Sequence, residues 1–238
     1  MHGPYNLELQ NDCTTCPMRQ DGRFCDVADP ALAAVNAAKF STAYPKGATL
    51  FVEGEPPRGV FILCAGRAKL TTSSSEGKTL ILRIAGPGEI LGVSAAILSR
   101  PYEVSAETLE PTQVNFIRHA DFLAILRSHP DLCLRAAEQL SAKYQQAQRE
   151  VRSLGLSQTT SEKLARLILE WSVDGEQTDR GIRVKVLLTH EEIGQMLGTT
   201  RETVTRLLGN FRRKRLIDVS GASVYVTQRD ALQQMITF

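Results

Sequence analysis

The sequence predicts an α+β protein in which an antiparallel β-roll, a long dimerisation helix and a winged helix-turn-helix follow one another. Three patterns support this prediction. Short apolar runs between glycines fill residues 41–118, as in small antiparallel rolls and barrels. A narrow apolar stripe with a heptad period follows over 133–154. Near the C-terminus, two short amphipathic helical segments flank Gly198 and run into a basic cluster.

The composition is that of an ordinary globular protein. The chain has 238 residues, of which 42% are hydrophobic and 23% are charged, and its net charge is +2, so it can bury one large or two modest cores. It contains no apolar run near the ~20 residues that a membrane span needs, and its start lacks the layout of a signal peptide. We therefore expect a cytoplasmic protein without a membrane partner. Its five cysteines are an odd number, which disfavours a disulfide framework in that compartment.

The patterns divide the chain into four expected parts. They are a cysteine-containing segment over 1–29, a β-roll sensor domain over 30–128, a dimerisation helix with its hinge over 129–156, and a winged helix-turn-helix domain over 157–238. A predicted helix from about Ala31 to Phe40 leads into the roll. The roll includes the strands VFILC, AKLTT and TLILRI, and the short helix HADFLAILRS follows it.

The N-terminal segment carries Cys13 and Cys16 in a C-x-x-C spacing, followed by Cys25. Two thiolates at this spacing can reach one metal from a turn, and a third thiolate nearby is compatible with an iron-sulfur or zinc site. The residues alone leave three interpretations open. The cysteines hold a metal or cluster, act as a thiol-based redox switch, or are structural.

A narrow apolar stripe marks the long helix, which begins near Ser128 and Pro130. Its residues alternate steps of four and three, a 3.5-residue period that is typical of a coiled-coil seam. Polar and charged residues flank the stripe, whereas a core helix in a monomer usually has a wider apolar face. We therefore predict homodimerisation through this helix, which Gly155 ends. The predicted seam, which Cys133 precedes, consists of Ala137, Leu140, Tyr144, Ala147, Val151 and Leu154.

The two short helical segments near the C-terminus predict a helix-turn-helix. Thr189 is a hydroxyl N-cap for the first helix, and Gly194 lies where a second helix would approach its backbone. Gly198 can end the first helix with a positive φ, and Thr200 can cap the second. In the second helix, the predicted buried stripe is Val204, Leu207, Leu208 and Phe211.

The opposite face of the second helix predicts contact with double-stranded DNA. Arginine can fork onto guanine, glutamate can accept from cytosine, and threonine can touch a thymine methyl. The predicted base-reading residues are Arg201, Glu202, Thr205 and Arg206. The predicted phosphate contacts are Thr189, Thr200, Arg212, Arg213 and Lys214.

The rest of this domain is expected to complete a winged helix. Thr160 or Ser161 is the predicted cap of a core helix, TSEKLARLILEWS, and a short strand follows over 182–188. The stretch LIDVSGASVYVT predicts two strands around a Ser-Gly turn, which form the wing. A last helix is expected from about Arg229.

Two stretches resemble one family of proteins. EEIGQMLGTTRETVTRLLGNFRRKRLI is similar to the DNA-binding segment of the Crp/Fnr family of bacterial transcription regulators. YPKGATLFVEGEPPRGVFILCAGRAKL, with GEILG after it, resembles the cyclic-nucleotide-binding-type β-roll of the same family. The resemblance implies a homodimer on a pseudo-palindromic operator and a contact with RNA polymerase. It also implies a [4Fe-4S] cluster, because the Fnr branch holds an oxygen-labile cluster on an N-terminal cysteine group.

The chain departs from the Fnr branch at two points. The gap from Cys16 to Cys25 is longer than the usual Fnr spacing, and Asn115 stands where Fnr has its fourth cysteine. The resemblance therefore predicts Cys13, Cys16 and Cys25 as metal ligands and leaves the fourth unknown. The candidates for this fourth ligand are Cys64, Cys133, Asp12, Asp26 and a histidine.

The roll also departs from the cyclic-AMP-binding branch. That branch places a Gly-Glu pair and an Arg-Ser pair around the ribose and the cyclic phosphate, where this chain has Gly92-Val93 and Glu103-Val104. A carboxylate in place of a guanidinium repels a phosphate. We therefore do not expect cyclic AMP to bind.

These patterns predict a homodimeric, sequence-specific DNA-binding transcription regulator. The signal is expected to be redox, oxygen or a small molecule, sensed by the N-terminal cysteines or the roll. An enzyme is not expected, because the four histidines are scattered and no catalytic constellation or glycine-rich phosphate loop is present in the sequence. The alternative is a ligand-binding β-roll that acts through a protein partner.

Overall fold

The structure, a computed structural model, describes residues 4–20, 23–155, 159–173 and 175–236. The chain divides into two compact units, residues 1–149 and residues 150–238. The predicted boundary near residue 156 is close to this division, and residues 156–158 lie outside the described part of the chain.

The strands of the first unit form two four-stranded antiparallel sheets, as predicted for a roll. One sheet has the order β1-β8-β3-β6 and the other has the order β2-β7-β4-β5. The strands are β1 (Lys39–Tyr44), β2 (Thr49–Phe51), β3 (Gly59–Ala65), β4 (Ala68–Ser73), β5 (Thr79–Ala85), β6 (Ile90–Leu91), β7 (Ser105–Thr108) and β8 (Thr112–Arg118).

Four helices accompany the roll in the described part of the first unit. They are α1 (Asp29–Ala38), α2 (Val93–Leu98), α3 (His119–Ser128) and α4 (Pro130–Gly155), the last of which continues past residue 149. The prediction that α1 includes Lys39 and Phe40 is wrong. Both residues belong to β1, where they pair with Ile117 and Phe116 of β8, so sheet pairing overrides the helical pattern at this end.

The side chains of β3 point alternately into two hydrophobic cores of the first unit. Val60 and Ile62 face one core together with α1, α3 and the N-terminal segment. Phe61 and Leu63 face the other core, which lies between the two sheets. Successive side chains of a strand point to opposite faces, so β3 is buried on both sides.

The cysteine-containing N-terminal segment is docked on the first of these cores. The backbone of Gln10 and the side-chain amide of Gln113 exchange two hydrogen bonds of 2.8 Å each. The amide N–H of Cys13 donates to Asn36 Oδ1 at 3.1 Å. Cys13 and Phe24 are buried in the core, so the segment is part of the folded unit.

The described part of the second unit contains four complete helices and a four-stranded antiparallel sheet of order β11-β12-β10-β9. Its helices are α5 (Thr160–Trp171), α6 (His190–Leu197), α7 (Arg201–Arg213) and α8 (Arg229–Gln234). Its strands are β9 (Glu176–Thr178), β10 (Gly181–Lys185), β11 (Ile217–Ser220) and β12 (Ser223–Val226). The predicted helix-turn-helix and the β11–β12 wing are both present.

Details of the second unit differ from the sequence predictions. Thr159, rather than Thr160 or Ser161, caps α5 and forms a capping box with Glu162. The strand predicted over 182–188 is β10, which ends at Lys185. Its partner β9 was not predicted, because its sequence, Glu-Gln-Thr, is polar and short. None of the described helices is both long and apolar enough to cross a lipid bilayer.

We predict that Gly194→Ala destabilises the second unit. A Cβ at residue 194 would lie 2.8 Å from the carbonyl oxygen of Thr199, and relieving such a clash costs about 1–3 kcal/mol. Denaturation by urea, followed by the fluorescence of Trp171, measures the effect, because Trp171 is the sole tryptophan and belongs to this unit.

The matched control is Gly209→Ala in α7, where a Cβ would meet no atom within 4 Å. This substitution should raise the free energy of unfolding by about 0.5–1 kcal/mol, because alanine has the higher helix propensity. Equal effects of the two substitutions would contradict the close approach at Gly194.

Candidate DNA interface and cysteine site

The turn between α6 and α7 is fixed by caps at both helix starts. The hydroxyl of Thr189 accepts from the N–H of Glu192 at 3.2 Å, and the Glu192 carboxylate accepts in return from the N–H of Thr189 at 2.9 Å. Gly198 ends α6 with a φ of 66°. The hydroxyl of Thr200 accepts from the N–H of Thr203 at 3.3 Å. Such caps satisfy N–H groups that a helix start leaves without partners.

The two faces of α7 differ as predicted. Val204, Leu208 and Phe211 are buried against the rest of the unit, whereas Leu207 of the predicted stripe is only partly buried. The predicted base-reading residues Arg201, Glu202, Thr205 and Arg206 are all exposed on the other face. The structure therefore brings these four side chains together on one solvent-facing surface.

The hydroxyl of Thr205 is already engaged inside the protein. It donates to the carbonyl oxygen of Arg201 at 2.9 Å and lies 2.9 Å from Nδ1 of His190. The methyl group is the part of Thr205 that remains for a thymine contact. Sequence reasoning treated His190 as a surface histidine and missed this link between α6 and α7.

Glu202 lies in the first turn of α7. Hydrogen bonds from its own backbone N–H and from the side chain of Thr200 lower the pKa of its carboxyl group. The ionised carboxylate is an acceptor, which is the form that a cytosine amino group requires.

The predicted phosphate contacts are less uniform than the base-reading set. Arg212, Arg213 and Lys214 are exposed at the C-terminal end of α7. Arg212 lies 3.5 Å from Asp218 of the wing, so this cation is partly neutralised. The hydroxyls of Thr189 and Thr200 act as helix caps, and the backbone N–H groups beside them are the alternative donors to a phosphate.

Arg215 ends α7 in an unusual conformation. Its φ is 57°, in the left-handed region, and the N–H of Leu216 donates to the carbonyl oxygen of Phe211 at 3.0 Å. This is the helix-ending arrangement in which glycine is usual. An arginine there costs conformational energy and adds a cation to the end of the reading helix.

Four of the five cysteines line one small cavity beside β3. The cavity has a volume of about 20 Å³ and is bounded by Cys13, Cys16, Cys25 and Cys64, with Gln10, Asp12, Ile62, Leu63, Gly88 and Asn115. A cavity of this volume holds about one water molecule. The three cysteines predicted as ligands are therefore brought together, and Cys64 joins them.

Cys64 lies in a β-bulge of β3. In the pairing of β3 with β8, Leu63 pairs with Val114 and Ala65 pairs with Gln113, so Cys64 is the extra residue. Bulges re-aim a side chain and are common beside functional sites. Cys64 is one of the candidates for the fourth ligand in the sequence analysis, but the sequence carries no signal for the bulge.

The other candidates for the fourth ligand are placed differently. Asp12 lines the cavity, but its carboxylate accepts from the backbone and hydroxyl of Thr14. Asp26 is paired with Arg135 of α4 at 3.2 Å. Cys133 is exposed and is not among the residues that line the cavity.

Burial controls the chemistry of these thiols. Burial raises the pKa of Cys25 and of Cys64 to about 12 each. Burial also raises the pKa of Cys13, although Lys39 opposes this effect. As free thiols these groups are protonated at neutral pH and are poor nucleophiles, whereas bound metal ions would hold them as thiolates.

Two N–H donors point at the sulfur of Cys13. Lys39 Nζ lies 3.2 Å from Cys13 Sγ, and Asn115 Nδ2 lies 3.6 Å from it. Asn115, which stands at the position of the fourth Fnr cysteine, therefore contacts the sulfur of Cys13. Among the described residues, no group of three or more Cys, His, Asp or Glu side chains is arranged to hold a metal ion.

Comparison with protein families matches both units. The cyclic nucleotide-binding domain matches residues 41–129, and the Crp-like helix-turn-helix domain matches residues 162–235. This chain is a member of the Crp/Fnr family. The prediction of a Crp-type DNA-binding transcription regulator is thereby confirmed, whereas the Fnr-like cysteine cluster stays a prediction.

Individual relatives resemble this regulator along most of its length. The CRP-like cAMP-activated global transcriptional regulator of Mycobacterium tuberculosis is 25% identical over 211 residues, which cover 89% of this chain and 94% of that protein. The global nitrogen regulator of Synechocystis is 26% identical over 196 residues, which cover 82% and 87% respectively. These relatives are named as regulators rather than enzymes.

The fold also matches solved structures. FixK2 of Bradyrhizobium japonicum has a TM-score of 0.75 at 19% identity, covering 84% of this chain and 98% of that one. At this identity the match supports the fold alone, and it confirms the predicted combination of roll and helix-turn-helix.

Aromatic side chains pack in the core between the two sheets of the roll of this Crp/Fnr-family member. Tyr102 is buried, stacks on Phe51 with ring centroids 4.3 Å apart, and donates to the carbonyl oxygen of Gly59 at 2.8 Å. Beside it, the Glu103 carboxylate accepts from the hydroxyl of Ser94 at 2.6 Å. The absence of cyclic-AMP binding stays a prediction.

The predicted dimer seam of the regulator is largely open to solvent in the single chain. Ala137, Tyr144, Ala147 and Val151 are exposed, with 66% exposure for Tyr144 and 67% for Val151. Leu140 is partly buried against the roll. The side chain of Leu154 lies outside the described residues.

Hydrogen bonds connect the cysteine segment with α4 through the loop 86–90. The N–H of Phe24 donates to Gly88 at 3.4 Å, and Gln139 Nε2 donates to the same carbonyl oxygen at 3.2 Å. Lys143 Nζ donates to the carbonyl oxygen of Ile90 at 3.0 Å, and burial there lowers the pKa of Lys143 to about 8. The loop is thus shared between the cysteine site and α4.

We predict that Arg215→Gly stabilises the DNA-binding unit and weakens its DNA binding. Glycine adopts the left-handed conformation without strain, so the free energy of unfolding should rise by ~0.5–1 kcal/mol. Loss of one phosphate contact should reduce the slope of log affinity against log salt by about 0.9. Urea denaturation and salt-dependent DNA titration measure the two effects.

Lys214→Gly is the matched control, because Lys214 has a φ of −79° and also carries one charge. It should weaken DNA binding similarly but should not stabilise the unit. If both substitutions stabilise it equally, conformational strain at Arg215 is not the cause.

Proposed function

We propose that the protein is a homodimeric transcription regulator that reads a pseudo-palindromic DNA operator with α7. The observation that carries this proposal is the exposed surface of Arg201, Glu202, Thr205 and Arg206 on a helix whose opposite face is buried. Donors and acceptors of these types match the edges of base pairs in the major groove.

Dimerisation through α4 supplies the second reading helix. The apolar stripe of α4 leaves Tyr144, Ala147 and Val151 exposed, and such a stripe on a single chain indicates an interface. Two copies must hold their reading helices about 34 Å apart to enter successive major grooves. The family resemblance adds a contact with RNA polymerase and a site of action in the cytoplasm to this proposal.

The signal enters, in this proposal, at the N-terminal cysteines Cys13, Cys16 and Cys25. Gly88 lines their cavity, and its carbonyl oxygen accepts hydrogen bonds from both Phe24 and Gln139. Asp26 follows directly after Cys25 and is paired with Arg135. A change at the cysteines therefore has two short routes to the dimerisation helix.

An iron-sulfur group suits this site better than a thiol switch. Disulfide exchange needs a thiolate, whereas desolvation raises the pKa of Cys25 and of Cys64 and so disfavours the thiolate form of these two. Such a group would supply sensitivity to oxygen or redox state. Cys13, Cys16 and Cys25 would hold it, and the hydrogen bonds of Phe24 and Asp26 would connect its position with α4.

We predict that Arg206→Ala reduces sequence discrimination and that Arg213→Ala does not. Loss of a bidentate contact with guanine should cost about 1–3 kcal/mol on the preferred operator, while loss of a phosphate contact should weaken all duplexes about equally. Competition titrations against a duplex enriched from a random pool and against random DNA measure both.

The comparison is a direct test of the reading surface. An equal loss by Arg206→Ala on operator and random DNA would refute its base-reading role. Wild-type protein with no preference among duplexes would refute the proposed function and favour a roll that acts through a protein partner.

We predict that Ala147→Asp converts the dimer to a monomer. The substitution places a charge in the middle of the predicted seam, and two such charges would face each other in the dimer. Because Ala147 is exposed in the single chain, the fold of the monomer should be retained. Sedimentation velocity gives the assembly state, and operator titration gives the loss of affinity.

Gln148→Asp is the control for this experiment. Gln148 is also exposed but lies beside the stripe, so its substitution should leave the dimer intact. A monomeric wild-type protein, or dissociation by both substitutions, would contradict the seam.

A further inference from the structure

We infer that Cys64 is the fourth ligand of a [4Fe-4S] cluster that Cys13, Cys16 and Cys25 also hold. This inference rests on the proposed function, because it completes the sensor that the proposal places at these cysteines. The first support is that four cysteines meet at one cavity. These cysteines are separated by up to 51 residues in the sequence, and the remaining cysteine, Cys133, does not line the cavity.

The second support is the position of Cys64 relative to Asn115. Ile62 of β3 pairs directly with Asn115 of β8, and both Asn115 and Cys64 line the cavity. The bulge in β3 after Leu63 leaves Cys64 without a partner in the ladder. The neighbouring strand thus supplies a thiol close to the place where the resemblance to Fnr predicts one.

The third support is the set of donors around the sulfurs. Lys39 Nζ and Asn115 Nδ2 both approach Cys13 Sγ, at 3.2 Å and 3.6 Å. Four thiolates and a cluster carry net negative charge, and N–H groups that point at the sulfurs stabilise it and raise the reduction potential. The apolar Ile62 and Leu63 complete the lining and limit access of water.

A cluster fits the donor set better than one zinc ion does. Zinc draws its four ligands into one small tetrahedron, whereas a [4Fe-4S] core holds its thiolates farther apart, one on each iron. Among the described residues no three potential ligands surround a metal ion in the metal-free chain, which applies to zinc and to a cluster alike. Because the cavity volume is only about 20 Å³, binding a cluster requires a movement that widens the cavity between β3 and the cysteine segment.

That movement provides the link to α4. The segment carries Phe24, which is bonded to Gly88, and Asp26, which is paired with Arg135. The loaded and metal-free proteins therefore differ in the contacts that the segment makes with the loop 86–90 and with α4. Only side chains and backbone of this chain take part in these contacts.

The test is reconstitution of the full chain with ferrous iron and sulfide under anaerobic conditions. Iron and sulfide contents, the visible absorbance near 400 nm, and the rate of iron loss to a chelator are measured. The wild type should hold about four irons and four sulfides per chain. Cys25→Ser serves as the reference for loss of a ligand, and Cys133→Ser serves as the control for loss of a cysteine outside the site.

Cys64→Ser should behave as Cys25→Ser does, with iron loss to the chelator faster by more than about tenfold, and Cys133→Ser should match the wild type. A Cys64→Ser protein that retains a full cluster with unchanged chelator kinetics would overturn the inference. So would a wild type that binds one zinc ion without sulfide, or no iron.

A rescue variant separates ligation from folding. In the Cys64→Ser, Asn115→Cys double variant, a thiol returns to the same cavity from β8, and iron and sulfide contents should recover towards the wild-type values. If Cys64→Ser loses the cluster only together with a fall in its melting temperature, and the double variant recovers the melting temperature but not the cluster, the loss reflects folding and ligation by Cys64 is refuted.

The iron measurements need no DNA, and DNA binding is titrated separately. Absence of a cluster with intact sequence-specific DNA binding would refute this inference but leave the DNA-reading function standing. A complete cluster in a protein without DNA preference would support this inference and refute the DNA-reading function.

Discussion

The hydrogen bonds that hold α4 to the roll are the constraint on which the rest of the molecule depends. Gln139 and Lys143 are bonded to the loop 86–90, and Arg135 is bonded to Asp26. The same helix carries the exposed apolar stripe farther along, at Tyr144, Ala147 and Val151. In the proposed dimer one continuous helix serves both purposes, so a shift of the loop would alter the angle at which a second copy packs.

Burial at the cysteine site lowers the reactivity of its free thiols. Thiols on a solvent-facing turn would be reactive, and exchange with small thiols would follow. Here the sulfurs line a small cavity between β3 and the N-terminal segment, which Gln10, Cys13 and Phe24 anchor to the first unit. Desolvation raises the pKa of Cys25 and of Cys64, and in the proposed sensor a positive metal centre would offset the cost of ionising them. Metal binding and the position of the segment would then be coupled.

The helix-turn-helix was predictable because its signals are local. Thr189, Gly198 and Thr200 specify caps and a turn through their own backbone preferences, and the apolar stripe of α7 follows from helical periodicity. The extent of α1 and the strand β9 were not predictable in the same way, since pairing with distant strands decides them. The bulge at Cys64 lacks a sequence signal altogether, because a two-residue alternation cannot reveal an inserted residue. Assembly of the cysteine site from β3 and the N-terminal segment thus needed the three-dimensional structure.

The capping boxes at Thr159 and Thr189 have a wider implication. Each satisfies the start of its helix with a glutamate from the same helix, Glu162 or Glu192, so the C-terminal unit borrows no hydrogen-bond partner from elsewhere for these ends. A segment that is self-sufficient in this sense can be joined to a new sensory partner by recombination without losing its shape. Diversification of such regulators is then limited by the linking helix, whose length and phase must be kept when the parts are exchanged.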